Sequence, residues 1–218
     1  MSELGCCIDA VLTDMGPTRP QFDRYCSLLE QLVLRALVLP PKLVAIASRR
    51  LSSLNTETVA LVGYPFGAYP LKAKLLDAEQ SIKAGADSLE FVLDVDALAD
   101  GDYEELEHGL PCLAEIVSGG AIGLIADAEH LPAKAWKAVC RMAFENGISY
   151  VACTAGFGEG STTTPELLAS LKESASRGLR LKAWQDTGSL GEVQALRDAG
   201  ASLVGIPTLS LERLVGAV

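Results

Sequence analysis

Eight short apolar runs, each followed by an amphipathic segment of helical length, dominate this chain and leave few architectures open to it. The runs are Cys7–Leu12, Leu43–Ala47, Val59–Gly63, Ser88–Leu93, Ala121–Ala126, Ser149–Cys153, Leu179–Trp184 and Ser202–Ile206. Helical periodicity is readable between them over Leu71–Ala84, Tyr103–Val117, Pro132–Asn146, Pro165–Arg177 and Leu190–Ala199. Strand and helix in strict alternation imply a parallel sheet, because parallel neighbours need a crossover between them. The boundaries agree with this segmentation. Pro132 and Pro165 stand where a helix tolerates proline in its first turn, and Gly85, Gly147, Gly178 and Gly200 stand where helices stop. Eight such units in about 200 residues fit a (β/α)8 TIM barrel, one α/β domain spanning residues 1–218. An open doubly wound sheet is the alternative. It usually carries a glycine-rich nucleotide loop after its first strand, and no GxGxxG follows Cys7–Leu12.

Composition limits the partners. With 49% hydrophobic and 21% charged residues the chain can bury a large core. Its net charge of −10 disfavours nucleic acid and anionic membranes, since both need clustered Lys and Arg, and the longest basic cluster is Arg49-Arg50. No apolar run reaches the ~18 residues of a membrane span, the start MSELGCCIDA does not read as a secretion signal, and cytoplasmic residence is expected. Cys6, Cys7, Cys26, Cys112, Cys140 and Cys153 form no CxxC pair and read as structural thiols. No cofactor is expected.

Three phrases carry a family resemblance. The first is Val62-Gly63-Tyr64-Pro65-Phe66-Gly67 with Ala84-Gly85-Ala86-Asp87 behind its helix. The second is Leu89-Glu90-Phe91-Val92-Leu93-Asp94 with Ala97-Leu98. The third is Thr154-Ala155-Gly156-Phe157-Gly158 followed by Leu181-Lys182-Ala183. In order and spacing they resemble the deoxyribose-phosphate aldolase family over nearly the whole chain. The resemblance implies class I aldolase chemistry on a TIM barrel: a strand-six lysine forms a Schiff base, a strand-seven lysine tunes it, and a strand-four acid relays protons. Position by position, the strand-seven lysine matches Lys182 and the strand-four acid matches Glu90. The Schiff-base lysine falls on Ala152 and a strand-five lysine on Gly123. The family's phosphate-binding glycines and serines align with Gln185-Asp186 and Pro207-Thr208, where a carboxylate repels an anion. Thr208 is also placed to cap the last helix.

Strand parity offers a separate view of the interior, because alternate residues point inward. If Glu90 is inward, so is Asp94, while Leu89, Phe91 and Leu93 face the helices. Gly123, Ile125 and Asp127 then share a face, as do Ala152 and Thr154, and as do Arg180, Lys182 and Trp184. Lys182 is thereby expected among Glu90, Asp94, Asp127 and Asp186, and carboxylates around a lysine hold it charged and poorly nucleophilic. Lys182 and Glu90 are the candidate catalytic residues, and Asp94, Asp127, Thr154, Asp186 and Thr208 the candidate ligand contacts.

Each has a plainer reading. Lys182 and Glu90 also read as an interior salt bridge, with Trp184 filling the space left at Ala152 and Gly123. Asp94, Asp127, Glu129 and His130 read either as hydrated loop residues or as ligands for a divalent cation, the leading expectation being no metal. Cys153 is expected to face the helices, and His108 to lie on a helix surface. The Gly156–Gly160 loop with Ser161-Thr162-Thr163-Thr164 reads as a ligand-covering loop or as a connection with an N-cap. Two functions stay open. One is an aldolase-like protein whose activity is lost or altered, a pseudoenzyme; the other is an active carbon–carbon lyase on a small carbonyl or sugar-like compound, using Lys182 with Glu90. Leu28, Leu29, Leu32 and Val33 suit either the barrel wall or a second copy in a homo-oligomer.

Overall fold

The structure is a computed structural model that describes residues 2–13, 16–117, 119–154, 156 and 162–215, the side chains of residues 2 and 3 excepted. Eight strands, β1 (Ile8–Val11), β2 (Ala36–Leu39), β3 (Glu57–Val62), β4 (Ser88–Val92), β5 (Ile122–Ile125), β6 (Tyr150–Ala152), β7 (Leu181–Trp184) and β8 (Leu203–Pro207), pair in parallel in sequence order. β8 closes on β1, giving a TIM barrel. The helices are α1 (Ser2–Gly5), α2 (Arg19–Leu32), α3 (Val44–Leu51), α4 (Leu71–Lys83), α5 (Val95–Asp100), α6 (Glu104–Ile116), α7 (Ala133–Glu145), α8 (Pro165–Ser174), α9 (Leu190–Asp198) and α10 (Leu211–Val215). Among the described residues no helix is long and apolar enough to cross a membrane.

Alternation along the strands sorts side chains into two cores. Leu89, Phe91, Leu124, Val151, Ala183 and Val204 face the helices, whereas Val11, Val38, Val59, Leu61, Val92, Ile125, Ala152 and Trp184 fill the barrel. Cys153 lies in the outer core with Cys140. Gly85, Gly147 and Gly200 take positive φ directly after the ends of their helices, as the segmentation requires, whereas α8 stops at Ser174 and Gly178 takes its positive φ in a turn beyond it.

One strand lies elsewhere than the apolar runs indicate. The second strand is Ala36–Leu39, and Leu43–Ala47 runs through a 3-10 turn (Pro41–Leu43) into α3. Pro40 and Pro41 cannot continue the strand ladder, and beyond them burial recurs at helical spacing, at Val44, Ala47 and Leu51, with Ile46 outside. On α2, Leu28, Leu29 and Leu32 are buried against the barrel, while Val33, past the helix end, is exposed.

Candidate functional site

The centre of the barrel is occupied by charge. Glu90 of β4 and Lys182 of β7 both point inward, and the Lys182 ammonium donates to Glu90 Oε1. The same ammonium lies 2.7 Å from Asp9 Oδ2, contributed by β1. Asp9 in turn accepts two hydrogen bonds from Arg35, Nε to Oδ1 and Nη2 to Oδ2, each 2.6 Å. Arg35 Nη1 reaches Glu57 Oε2 at 3.0 Å, and the Tyr150 hydroxyl donates to Glu90 Oε1 at 2.8 Å. Asp9, Glu90 and Lys182 are almost completely shielded from solvent. Two cations and two anions thus balance inside the barrel, with Glu57 at its partly exposed lower end.

This balance sets the protonation states. Burial works against the Lys182 ammonium, but Asp9 and Glu90 outweigh it and raise its pKa above the ordinary lysine value. Burial likewise acts to raise the Asp9 carboxyl, and Lys182 and Arg35 reverse this and hold it below the usual value. Tyr150 is pushed well above an ordinary tyrosine by burial, with Glu90 and Asp9 adding to it. The hydroxyl therefore stays protonated as the donor to Glu90.

Little space remains beside Lys182. A cavity of about 10 Å3 touches Glu90, Thr154, Lys182, Ala152 and Trp184, room for one water at most. Trp184 closes it: a Cβ built on Gly156 would sit 2.2 Å from the indole, and one on Gly205 would sit 3.1 Å from both the indole and Lys182 Cε. Ala152 pairs in register with Lys182. The space beside Gly123 is taken by Tyr150 and not by Trp184, since a Cβ at Gly123 would lie 2.3 Å from the Tyr150 ring.

The expected carboxylate ring around Lys182 is not assembled, because strand parity ends with the strand. β4 stops at Val92, and Asp94 caps α5 by accepting from the Ala97 amide. Asp127 follows β5 and pairs with His130 Nδ1 at 3.1 Å. Asp186 follows β7 and is held by Arg213 at 2.6 Å, more than half exposed. Thr208 is buried with no partner for its hydroxyl, so it does not cap the last helix. Of the five expected ligand contacts only Thr154 lines the cavity at Lys182. Arg180 precedes β7 and is exposed. His108 is exposed on α6. Among the described residues no three His, Cys, Asp or Glu side chains converge as a metal group; Asp94 accepts from the Ala97 amide, and Asp127 pairs with His130. The Gly156–Gly160 loop and Ser161 lie, apart from Gly156, outside the described residues; Thr164 does cap α8 through the Leu167 amide.

Sequence reasoning missed Asp9, Arg35, Tyr150 and Lys74. A lone carboxylate inside the apolar run Cys7-Ile8-Asp9-Ala10-Val11 was the available signal for Asp9. Arg35 directly precedes β2, and was hidden by the misplaced strand. Lys74 is buried on α4 beneath the turn after β3: it donates to Gly67 O at 2.7 Å and Val92 O at 3.0 Å and pairs with Glu105. Burial lowers its pKa, with Glu105 opposing. It ties the turn Gly63–Gly67, which contains a cis Tyr64–Pro65 bond, to the end of β4.

No protein-family model matches the chain. The deoxyribose-phosphate aldolase of Geobacillus is 26% identical over 199 residues, covering 91% of this chain and 89% of that protein. That of Staphylococcus haemolyticus is 26% identical over 198 residues, covering 91% and 90%. Among solved structures, the aldolase QR15 superposes with a TM-score of 0.88 at 20% identity, over 99% of this chain and 97% of that one. The tetrameric deoxyribose phosphate aldolase of Aeropyrum pernix gives 0.83 at 22% identity, over 99% and 92%. With the same barrel and similarity along nine-tenths of its length, the chain is a divergent homologue of the deoxyribose-phosphate aldolases.

Proposed function

We propose that this protein is an aldolase-type barrel in which Schiff-base chemistry is lost or altered, and in which Lys182 and Glu90 form an interior ion pair. The observation that carries this is the Lys182 ammonium, held between Asp9 and Glu90 beside a space of about 10 Å3. An amine must be neutral to attack a carbonyl, and each unit by which its pKa is raised costs ~1.4 kcal/mol. A carbonyl compound also needs more room than one water. The aldolase relatives' Schiff-base position falls, by the motif alignment, on Ala152, which brings no amine to the barrel.

A second reading keeps the chain as a carbon–carbon lyase acting on a small carbonyl or sugar-like compound. It is favoured by one observation: Lys182, Glu90 and Thr154 border the same cavity, a candidate nucleophile, proton relay and hydroxyl in one place. It requires Trp184 to move aside. Borohydride trapping separates the two. The protein is incubated with acetaldehyde, and separately with deoxyribose 5-phosphate, under reduction, and its intact mass is measured beside Lys182→Met. No mass gain beyond that of Lys182→Met is expected. A gain that disappears in Lys182→Met overturns the first reading and establishes the second.

A further inference from the structure

The open volume at the strand ends lies off the barrel axis, over β3, β4 and β5. A cavity of about 510 Å3 is enclosed there by the turn after β3, the end of β4 with the start of α5, and the end of β5 with its following loop. Its volume is that of a small-molecule site. Val92 and Ile125 form its floor, and both also belong to the interior core of the barrel. Phe66, an exposed ring, supplies a wall. Asp96, Asp127 and His130 supply the polar groups.

The charge of this cavity selects its ligand. No Lys or Arg is among its described lining residues, and two carboxylates are, on a protein of net charge −10. A phosphate or carboxylate would meet two carboxylates there, with His130 as the one side chain that could donate to it, whereas a cation would be drawn in by the local and the overall field. The face of Phe66 favours a cation as well as an apolar body. Asp127 keeps acceptor capacity beside its contact with His130, since a carboxylate offers several lone pairs.

We propose that this cavity binds a small organic cation, an ammonium carried on an apolar body about the size of one ring. The ammonium lies at Asp96 and Asp127, and the body packs on Phe66, Val92 and Ile125. The site is separate from the ion pair at Lys182, so it stands whichever reading of that pair holds.

Calorimetric titration with benzylamine, benzyl alcohol and benzoate at constant pH and ionic strength tests this. Three probes of one shape differ only in charge. Benzylamine is expected to bind saturably and roughly tenfold more tightly than either of the others, a difference between what one close charge pair provides in bulk water and what it provides near a protein surface. That preference is expected to fall severalfold in Asp127→Asn, and to vanish in the double variant Asp96→Asn/Asp127→Asn. Phe66→Ala is expected to weaken benzylamine and benzyl alcohol alike. Asp96 and Phe66 are exposed and Asp127 is partly so, which leaves the fold intact, and thermal melting verifies it. No saturable binding of benzylamine, equal binding of all three probes, or a preference that survives in the folded double variant would each overturn the proposal.

Discussion

Lys182 and Asp9 meet at 2.7 Å across β8, the strand that pairs with both of theirs and closes the barrel. The contact joins the two ends of the chain through two fully buried charges. Removing Lys182 leaves Asp9 with Arg35 but leaves Glu90 with the Tyr150 hydroxyl and no cation, in a medium that solvates its charge poorly. Lys182→Met should therefore destabilise the fold by about 3–5 kcal/mol, well beyond the loss from packing alone. Urea unfolding of wild type, Lys182→Met, Glu90→Gln and the double variant checks this, with strong non-additivity expected between two residues in direct contact.

The pH dependence of stability follows from the same pair. Asp9 is held below 3.8, so its contribution is complete above that pH and is lost as the pH falls through the lowered value. Lys182 is held above 10.5, so its contribution is complete below that pH and is lost as the pH rises through the raised value. Stability should be flat with respect to these groups between pH 3.8 and 10.5 and should fall on both sides. Urea midpoints measured across pH check this. Asp9→Asn should lower the plateau and flatten the acid limb.

Trp184 fills the upper interior against Gly156, Gly205 and the Lys182 stem. Trp184→Ala should cost about 3–5 kcal/mol, since so large a hole cannot close around a rigid barrel. Thermal and urea unfolding measure the loss. If Trp184 also bars access to Lys182, borohydride trapping with acetaldehyde should become detectable in this variant and not in wild type.

Tyr150 and Gly123 are matched across β5 and β6. A methyl group at Gly123 would lie 2.3 Å from the Tyr150 ring, so Gly123→Ala should cost about 1–3 kcal/mol by overpacking. Unfolding of Gly123→Ala in the Tyr150→Leu background, where the ring is gone, should show most of that cost relieved.

Lys74 donates to the carbonyls of Gly67 and Val92 and pairs with Glu105. Lys74→Met should cost about 3 kcal/mol, the range for a broken buried ion pair. Hydrogen exchange should report it locally, as faster exchange in the turn after β3 and at the end of β4.

How much was legible depends on the range over which each signal acts. The alternation Leu89-Glu90-Phe91, the glycines ending the helices and the inward set Ile125, Ala152, Lys182 and Trp184 are local patterns, and all three reappear in the barrel. Leu43–Ala47 misled because an apolar run of that length suits a strand or a buried helix face, and only the ladder at Ala36–Leu39 separates them. Asp94, Asp127 and Asp186 were misplaced because inward–outward alternation stops where each strand stops, and no local residue marks that point to within two positions.

The alternation of strand and helix, seven of the eight strand positions and the face each residue within those strands presents were determined by the sequence alone, since hydrophobic period and backbone stops act within a few residues. Closure was not. That Asp9, held by Arg35, would take up Lys182, that Tyr150 would occupy the space beside Gly123, and that the open volume would lie over β3–β5 were decided by the barrel's tertiary structure. Partners far apart in the chain are chosen by register and by the need to pair every buried charge, and neither is written in any local stretch of residues.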